Sequence, residues 1–409
     1  MRIAPHHGLL ACFLTLIAPL APAQDCNGGR YTSQSTFPNV TVTQAVVFGS
    51  NTGVNGQPQT LRLDVYEPAG DVLDQRPVMI LAFGGSFITG TRADVAPLCQ
   101  AFARMGYVAV APDYRVGFFL PNEVTTTRAV MRGAHDMKAC VRFLRKTVAE
   151  QGNPYKIDPD RIIIGGVSAG AISALHATYL DQDEEIPAIL QGESAALGGV
   201  EGNSGSPGYS SEVFAVYSFS GALGDTLWIE PGDKPLVSIH ETGDNVVPYY
   251  TQQVSVIGIP TGLTASGSHD IHLRMNSLGL DNCLKSITAN AHVGYIQNDQ
   301  ANSLHYVASF TAKLICEVPV DCIPGSVGLD EMAGVEASLP YPNPSAGLVW
   351  LELPQSGMLS ILDMGGREVW QGRHPGGLAP LDLAMLPDGV YQILARDGSA
   401  PTARIVIAH

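Results

Sequence analysis

The chain has 409 residues, a formal net charge of −15 and 45% hydrophobic residues, with 44 glycines and 28 prolines. That balance excludes nucleic acid and anionic membrane surfaces as partners, since both demand clustered Lys and Arg that the sequence does not contain. The length exceeds one typical domain, and the composition describes a globular α/β enzyme with many turns plus a β-rich part.

At the start, Arg2 and two histidines precede an apolar run over residues 9–20 and the small-x-small site Ala21-Pro22-Ala23, which predicts an export signal over residues 1–23. A membrane anchor would need roughly 20 apolar residues. This run is shorter, Pro19 and Pro22 interrupt it, and no later segment is apolar for long enough to span a bilayer. Loss of the signal removes Cys12 and leaves Cys26, Cys99, Cys140, Cys283, Cys316 and Cys322 for an oxidising compartment. Six cysteines allow up to three disulfides in 15 pairings, so no pairing is assigned. Equally, some are expected as buried free thiols, because Cys140 falls inside a helical stretch. No C-x-x-C and no cluster at zinc spacing occurs, so no metal is expected.

Residues 61–66 alternate apolar and polar side chains, the pattern of a half-buried strand. Two continuous apolar runs follow, at 77–83 and 106–112, and read as strands buried on both faces with a helix over 92–105 crossing between them. A longer helix is predicted over 126–149. Arg161-Ile162-Ile163-Ile164-Gly165-Gly166 is a third buried strand running into a turn at Ser168 and a helix over 169–180. Further strands are expected at 213–217, 236–239 and 285–287, and a last helix at 303–315. Strand alternating with helix means a mostly parallel, doubly wound sheet. Residues 181–212 depart from this rhythm, being rich in Gly, Ser and acids, with only 186–190 looking structured. So long an irregular stretch marks either a lid or binding loop beside the substrate pocket or a solvated surface excursion.

The chemistry centres on Gly166-Val167-Ser168-Ala169-Gly170. A G-x-S-x-G pentapeptide alone is a modest signal in a glycine-rich chain, but here an apolar strand precedes it and a small-residue helix follows, which is the strand–turn–helix that the motif requires. Ser168 is therefore the candidate nucleophile. A serine hydroxyl needs a base to take its proton and a third group to orient that base. In this arrangement the acid and then the histidine follow the serine along the chain. Asp244, in the polar turn after the apolar strand, is the expected acid, with Glu241 and Asp225 as alternatives. His292 lies between the strand near 287 and the last helix and is the expected base; His269 and His272 precede that strand, His305 lies on the helix, and His240 is expected to brace the acid turn. The oxyanion formed on attack needs backbone donors placed in advance. The N–H of Ala169 supplies one, and Gly85 and Ser86, in Phe83-Gly84-Gly85-Ser86-Phe87, are expected to supply others.

The Phe83 to Phe87 segment, Asp113-Tyr114-Arg115, the Ser168 turn, Thr242-Gly243-Asp244 and Ala291-His292 together resemble the carboxylesterase branch of the α/β-hydrolases, over roughly residues 40–317. The resemblance implies hydrolysis of carboxylic esters without a cofactor. Phe83 and Ser86 depart from the family's usual His and third Gly. The expected catalytic domain is residues 24–317, followed by an acidic linker at 318–337 and a small all-β sandwich over 338–409, with short alternating runs at 349–353, 359–362, 368–371 and 390–395. Tyr341-Pro342-Asn343-Pro344, the stretch from Asp363-Met364-Gly365-Gly366 to Val369, Leu386-Pro387-Asp388-Gly389-Val390-Tyr391 and the terminal Ala403-Arg404-Ile405-Val406-Ile407 are similar to the sorting domain of the type IX secretion system. That resemblance implies recognition by secretion machinery and a product exported through the periplasm to the outer cell surface or beyond; an adhesive or carbohydrate-binding module is the alternative. The expected partners are this machinery and a small-molecule or polymeric ester. A serine peptidase on the same fold and an inactive hydrolase-like adhesin are the competing functions.

Overall fold

The structure is a computed structural model and describes residues 26–27, 29–118, 120–323, 340, 342–353, 356–363, 367–395 and 403–409. The expected export signal, most of the 318–337 linker, Tyr341 and Met364-Gly365-Gly366 lie outside the described residues. The chain divides into two compact units, Met1–Leu329 and Asp330–His409.

In chain order the first unit contains β1 (Val40–Thr52), β2 (Pro58–Pro68), β3 (Arg76–Ala82), α1 (Ala96–Arg104), β4 (Val108–Pro112), α2 (Glu123–Gln151), β5 (Ile157–Val167), α3 (Ala169–Tyr179), α4 (Ser194–Leu197), β6 (Ala215–Phe219) and β7 (Ala222–Leu223). It continues with β8 (Leu236–Glu241), β9 (Gln252–Val256), β10 (Ile259–Gly267), α5 (Ser268–Ser277), β11 (Asn282–Ile287), α6 (Gly294–Asn298) and α7 (Gln300–Ile315). Eight of the strands form one sheet in the order β1-β2-β4-β3-β5-β6-β8-β11. Only the β1–β2 and β2–β4 pairs are antiparallel; the rest run parallel. Every residue of β3, β4, β6 and β8 is buried. Those strands are the continuous apolar runs of the sequence, as coverage by helices on both faces demands.

Helix α2 starts where the Asn122 side chain accepts the Thr125 N–H at 3.0 Å and stops at Gly152, whose φ of 70° is left-handed. It also orders the 181–212 stretch, which contains three short helical turns, Asp183–Glu185, Ala188–Glu193 and α4. Arg142 pairs with Glu201 at 2.8 Å, Arg128 pairs with Glu193, and Ser204 Oγ donates to Asp136 Oδ1 at 2.6 Å. More of this stretch is regular than the expected 186–190, because the buried charges of Arg142 and Asp136 on α2 need partners and the stretch supplies them.

The sequence reading did not anticipate β1, the β9–β10 hairpin or α5. β1 carries a mostly exposed face, so little apolar periodicity marks it. Of the six cysteines, four form the disulfides Cys26–Cys316 and Cys283–Cys322, while Cys99 and Cys140 are buried free thiols. These two sit on α1 and α2 inside the apolar core.

The second unit contains β12 (Leu348–Leu353), β13 (Gly357–Asp363), β14 (Glu368–His374), β15 (Gly377–Asp382), β16 (Gly389–Ala395) and β17 (Ala403–Ile407). They make two antiparallel sheets, β12–β15 and β14-β13-β16-β17. Alternate residues Val349, Leu351, Leu359, Ile361, Ile393, Ile405 and Ile407 form one buried apolar cluster. The period-2 alternation of the sequence thus becomes the core of a small all-β module.

Candidate active site

Ser168 sits between the end of β5 and the start of α3 with φ 55° and ψ −119°, a conformation that costs a non-glycine residue of order 1–3 kcal/mol and persists only where its surroundings impose it. They do so here: the Ser168 N–H donates to the Phe219 carbonyl at 2.8 Å and its own carbonyl accepts from Ile172 at 2.9 Å. The flanking glycines are required by close approach. A Cβ on Gly166 would lie 2.5 Å from the Gly170 carbonyl carbon, and one on Gly170 would lie 2.2 Å from the Ala82 oxygen.

Asp244 lies in the turn after β8 and His292 in the turn after β11, two parallel neighbours whose carboxyl ends point the same way. The two turns are bonded together, Thr242 N–H to Ile287 O at 2.8 Å and Gly243 N–H to Ala289 O at 2.9 Å. A Cβ at position 243 would lie 2.9 Å from the Ala289 carbonyl oxygen and would have to displace the Asn290 side chain, whose Oδ1 stands 2.0 Å from it. As a result, the His292 Nδ1–H donates to Asp244 Oδ2 at 2.6 Å, and His292 Nε2 lies 2.8 Å from Ser168 Oγ. The other carboxylate oxygen, Oδ1, accepts the N–H groups of Val246 at 2.8 Å and Val247 at 3.0 Å. Burial by itself would raise the pKa of Asp244, but hydrogen bonds from His240 and His292, with the Val246 N–H, outweigh it and hold the carboxyl well below the usual carboxylate range.

The expected oxyanion donors are placed unequally. Ser86 and Ala169 line one cavity together with Ser168, and Phe87 joins them. Gly85 lies beside a different cleft, with Thr89 and Gly90, and its carbonyl accepts the N–H groups of Ile88 at 2.9 Å and Thr89 at 3.1 Å. Ser86 and Phe87 both have positive φ, 54° and 60°, so this turn shares the backbone strain found at Ser168.

The cavity beside Ser168 has a volume of about 120 Å³ and is walled almost entirely by apolar side chains, among them Val130, Met131, Ile172, Leu180, Pro187 and Trp228. The β9–β10 hairpin contributes Val254, Val256, Leu263 and Ala265, none of which the sequence reading identified. Two apolar runs flanking Gly258, which has φ 74°, are the signal that marks such a hairpin. The 181–212 stretch contributes only Pro187 to this wall.

The remaining sequence candidates have other partners. Glu241 is buried and accepts the Gly294 N–H at 2.8 Å, and Asp225 accepts the Leu227 N–H at 2.9 Å as a helix cap. His240 is bonded to Ser268 Oγ at 2.8 Å and to the Val247 carbonyl at 3.2 Å, so it braces the acid turn. His269 pairs with Asp270 at 2.7 Å. His272 bridges Asn282 Oδ1 and Ser238 Oγ, and His305 meets the Thr32 carbonyl at 3.2 Å. Ser168, His292 and Asp244 alone are brought into one hydrogen-bonded line among these candidates.

A mostly parallel sheet covered by helices, with such a line at the carboxyl ends of its strands, defines the α/β-hydrolase class. Residues 63–222 match the family described as BD-FAE, and residues 340–408 match the secretion system C-terminal sorting domain. Residues 63–222 are thus similar to an α/β-hydrolase esterase domain, and residues 340–408 to the type IX sorting domain, a signal for the cell surface or exterior. Lipase 2 of Geotrichum candidum is 31% identical over 186 residues, 41% of this chain and 32% of that protein. Fumonisin B1 esterase of Sphingopyxis macrogoltabida is 30% identical over 145 residues, 33% of this chain and 26% of that protein. The chain therefore spans about a third or less of the length of these relatives. Among solved structures, Thermogutta terrifontis esterase 2 aligns over 70% of this chain and 97% of its own, with 23% identity and a TM-score of 0.48. Among the described residues no helix is long and apolar enough to cross a membrane.

Proposed function

We propose that the protein is a secreted serine hydrolase of carboxylic esters that works through an acyl-enzyme. The observation that carries this reading is the line from Ser168 Oγ to His292 Nε2 at 2.8 Å and from His292 Nδ1 to Asp244 at 2.6 Å, opening onto an apolar cavity. Ser168 Oγ attacks the ester carbonyl carbon while His292 Nε2 takes its proton; the same proton then goes to the departing alcohol as the acyl–oxygen bond breaks. Water, deprotonated by His292, next attacks the acyl carbon and returns the proton to Ser168. Asp244 fixes the Nδ1–H tautomer and offsets the imidazolium charge. The backbone N–H groups of Ser86 and Ala169, which line the cavity with Ser168, stabilise the oxyanion, each worth on the order of 10²–10³ in rate.

The apolar wall supports an acyl or alcohol group of short to medium length rather than a charged one, since burying an unpaired charge there would cost several kcal/mol. Names of the related proteins, lipases and esterases, support the same chemistry. The test is a fluorophosphonate probe followed by mapping of the adduct, alongside assays of p-nitrophenyl acetate, p-nitrophenyl octanoate and a peptide p-nitroanilide. Labelling at Ser168 with faster ester than amide turnover is expected. Absence of labelling at Ser168 would refute the reading, and faster amide turnover would make the protein a peptidase.

A further inference from the structure

A second cavity, of about 410 Å³, lies on the other side of α2 from Ser168. Thr126, Thr127, Val130 and Met131 of that helix face the ester cavity, whereas Thr125, Arg128, Arg132 and His135 line the second. At 100° per residue these sets lie on opposite faces of the helix, so the two cavities are separate places. Asn51, Thr52 and Asn203 complete the polar part of the second wall, and no carboxylate is among its lining residues.

The charges in this cleft do not balance. Arg115 is bound by Asp136 at 2.9 Å, and Arg128 is paired with Glu193. His135 gives its Nε2 to the Gly199 carbonyl at 2.9 Å, and burial pushes it down to about 4, so it is neutral at physiological pH. Arg132 is the exception. Its one hydrogen bond among the described residues goes from Nη2 to the Gly117 carbonyl at 2.7 Å, and its Nε is buried with no partner. A guanidinium has five donors and cannot give up its charge under ordinary conditions. Burial, and then the neighbouring charge of Arg115, press it down to about 10, an effect that Asp136, which makes no hydrogen bond to it among the described residues, offsets in part and Arg128 adds to. Such a group is stabilised by an oxyanion that accepts from two of its nitrogens.

We propose that this cleft is a binding site for a small organic carboxylate, with the Arg132 guanidinium as its principal contact. A cavity of this size holds a group as large as a sugar acid; the planar fork of Arg132 fits a carboxylate in two-point fashion, and the Asn and Thr side chains suit hydroxyl groups. The site is built independently of the ester chemistry, because none of its lining residues belongs to the Ser168–His292–Asp244 line.

The experiment is calorimetric titration of the full chain carrying Ser168→Ala, with D-glucuronate, oligogalacturonate and neutral glucose as probes, so that binding is read without turnover. Saturable binding of glucuronate in the range of about 1 mM or tighter is expected, with no binding of glucose. The same titration on Arg132→Gln is expected to show affinity at least ~10-fold weaker, and Arg132→Lys, which keeps the charge but not the fork, an intermediate value. Circular dichroism establishes that each variant is folded, and if Arg132→Gln is not, the Arg132→Lys titration decides by itself. Tighter binding of oligogalacturonate than of glucuronate identifies an acidic polymer as the source of the carboxylate; the reverse identifies a free acid. No saturable binding of either acid, or equal binding in every Arg132 variant, would overturn the proposal. Either result leaves the ester reading standing, as that reading is judged by Ser168 labelling alone.

Discussion

Asp244 receives hydrogen bonds from His292, Val246 and Val247, and together with His240 they keep its carboxyl ionised far below the ordinary range. Its folded pKa is depressed, so the stabilisation it provides is complete above about pH 4 and is lost only as pH falls towards that lowered value. Across the working range Asp244 therefore carries its charge. Asp244→Asn should lower kcat for p-nitrophenyl esters by about 10⁴ at every pH from 5 to 9 through loss of the Nδ1–H tautomer. Ser168→Ala should lower it by roughly 10⁴–10⁶ and abolish fluorophosphonate labelling; a loss smaller than tenfold in either variant would remove that residue from the mechanism. Trp228 closes part of the apolar wall and meets His176 at a ring distance of 5.5 Å. Trp228→Ala should enlarge the cavity and raise the octanoate to acetate ratio of kcat/KM by about tenfold, the scale of one or two methylenes in an apolar pocket. An unchanged ratio would show that the acyl chain lies elsewhere.

Contact between elements depends on where side chains are missing. α3 approaches β3 closely enough that a Cβ at position 170 would lie 2.2 Å from the Ala82 oxygen and 2.6 Å from the Phe83 oxygen. These are backbone atoms of the strand leading into the Ser86 turn, so they cannot yield as a flexible side chain would. Gly170→Ala is thus expected to destabilise the fold by about 1–3 kcal/mol through overpacking, read as a lower urea midpoint at unchanged slope, and to reduce activity further by moving Ser86 relative to Ser168. Gly208, whose added Cβ would meet nothing within 4 Å, supplies no comparable steric penalty, although its φ of 87° still favours glycine. The strands and helices around Ser168 were legible because burial on both faces writes an apolar run into β3, β4 and β6. The β9–β10 hairpin was not, since its residues are largely exposed or half-buried and share their apolar side between solvent and cavity.

At the scale of the first unit, three histidines are buried with their imidazoles neutral. Burial pushes His135, His176 and His272 down to about 4. In the unfolded chain they titrate near 6.5, so that state takes up protons first as pH falls, and stability declines between about pH 6.5 and 4 by roughly 1.4 kcal/mol per histidine per pH unit. The melting temperature should be flat above pH 7 and drop steeply from 6.5 to 4.5, with a shallower drop in His272→Gln; a flat profile over that window would contradict the burial of neutral imidazoles. For the second unit, the alternation of apolar residues around turn residues already described a small β module, and its six strands bury that alternate set.

The sequence by itself determined the alternation of strand and helix, the strand–turn–helix setting of Ser168, and the terminal sorting domain, because each is written in neighbouring residues through period, turn chemistry or a short motif. The helical stretch around Cys140 already marks it as a candidate free thiol, but only the tertiary structure decided which cysteines pair, since Cys26 and Cys316 are 290 residues apart. His292 is already the expected base from its place between the strand near 287 and the last helix; what the tertiary structure adds is the means of approach, two turns from adjacent strands bonded together at Thr242 and Gly243. The unbalanced charge of Arg132 is of the same kind: on α2 it is one arginine among several, and only the packing shows Asp136 paired with Arg115 and Glu193 with Arg128, while Arg132 meets the Gly117 carbonyl and makes no hydrogen bond to a carboxylate among the described residues.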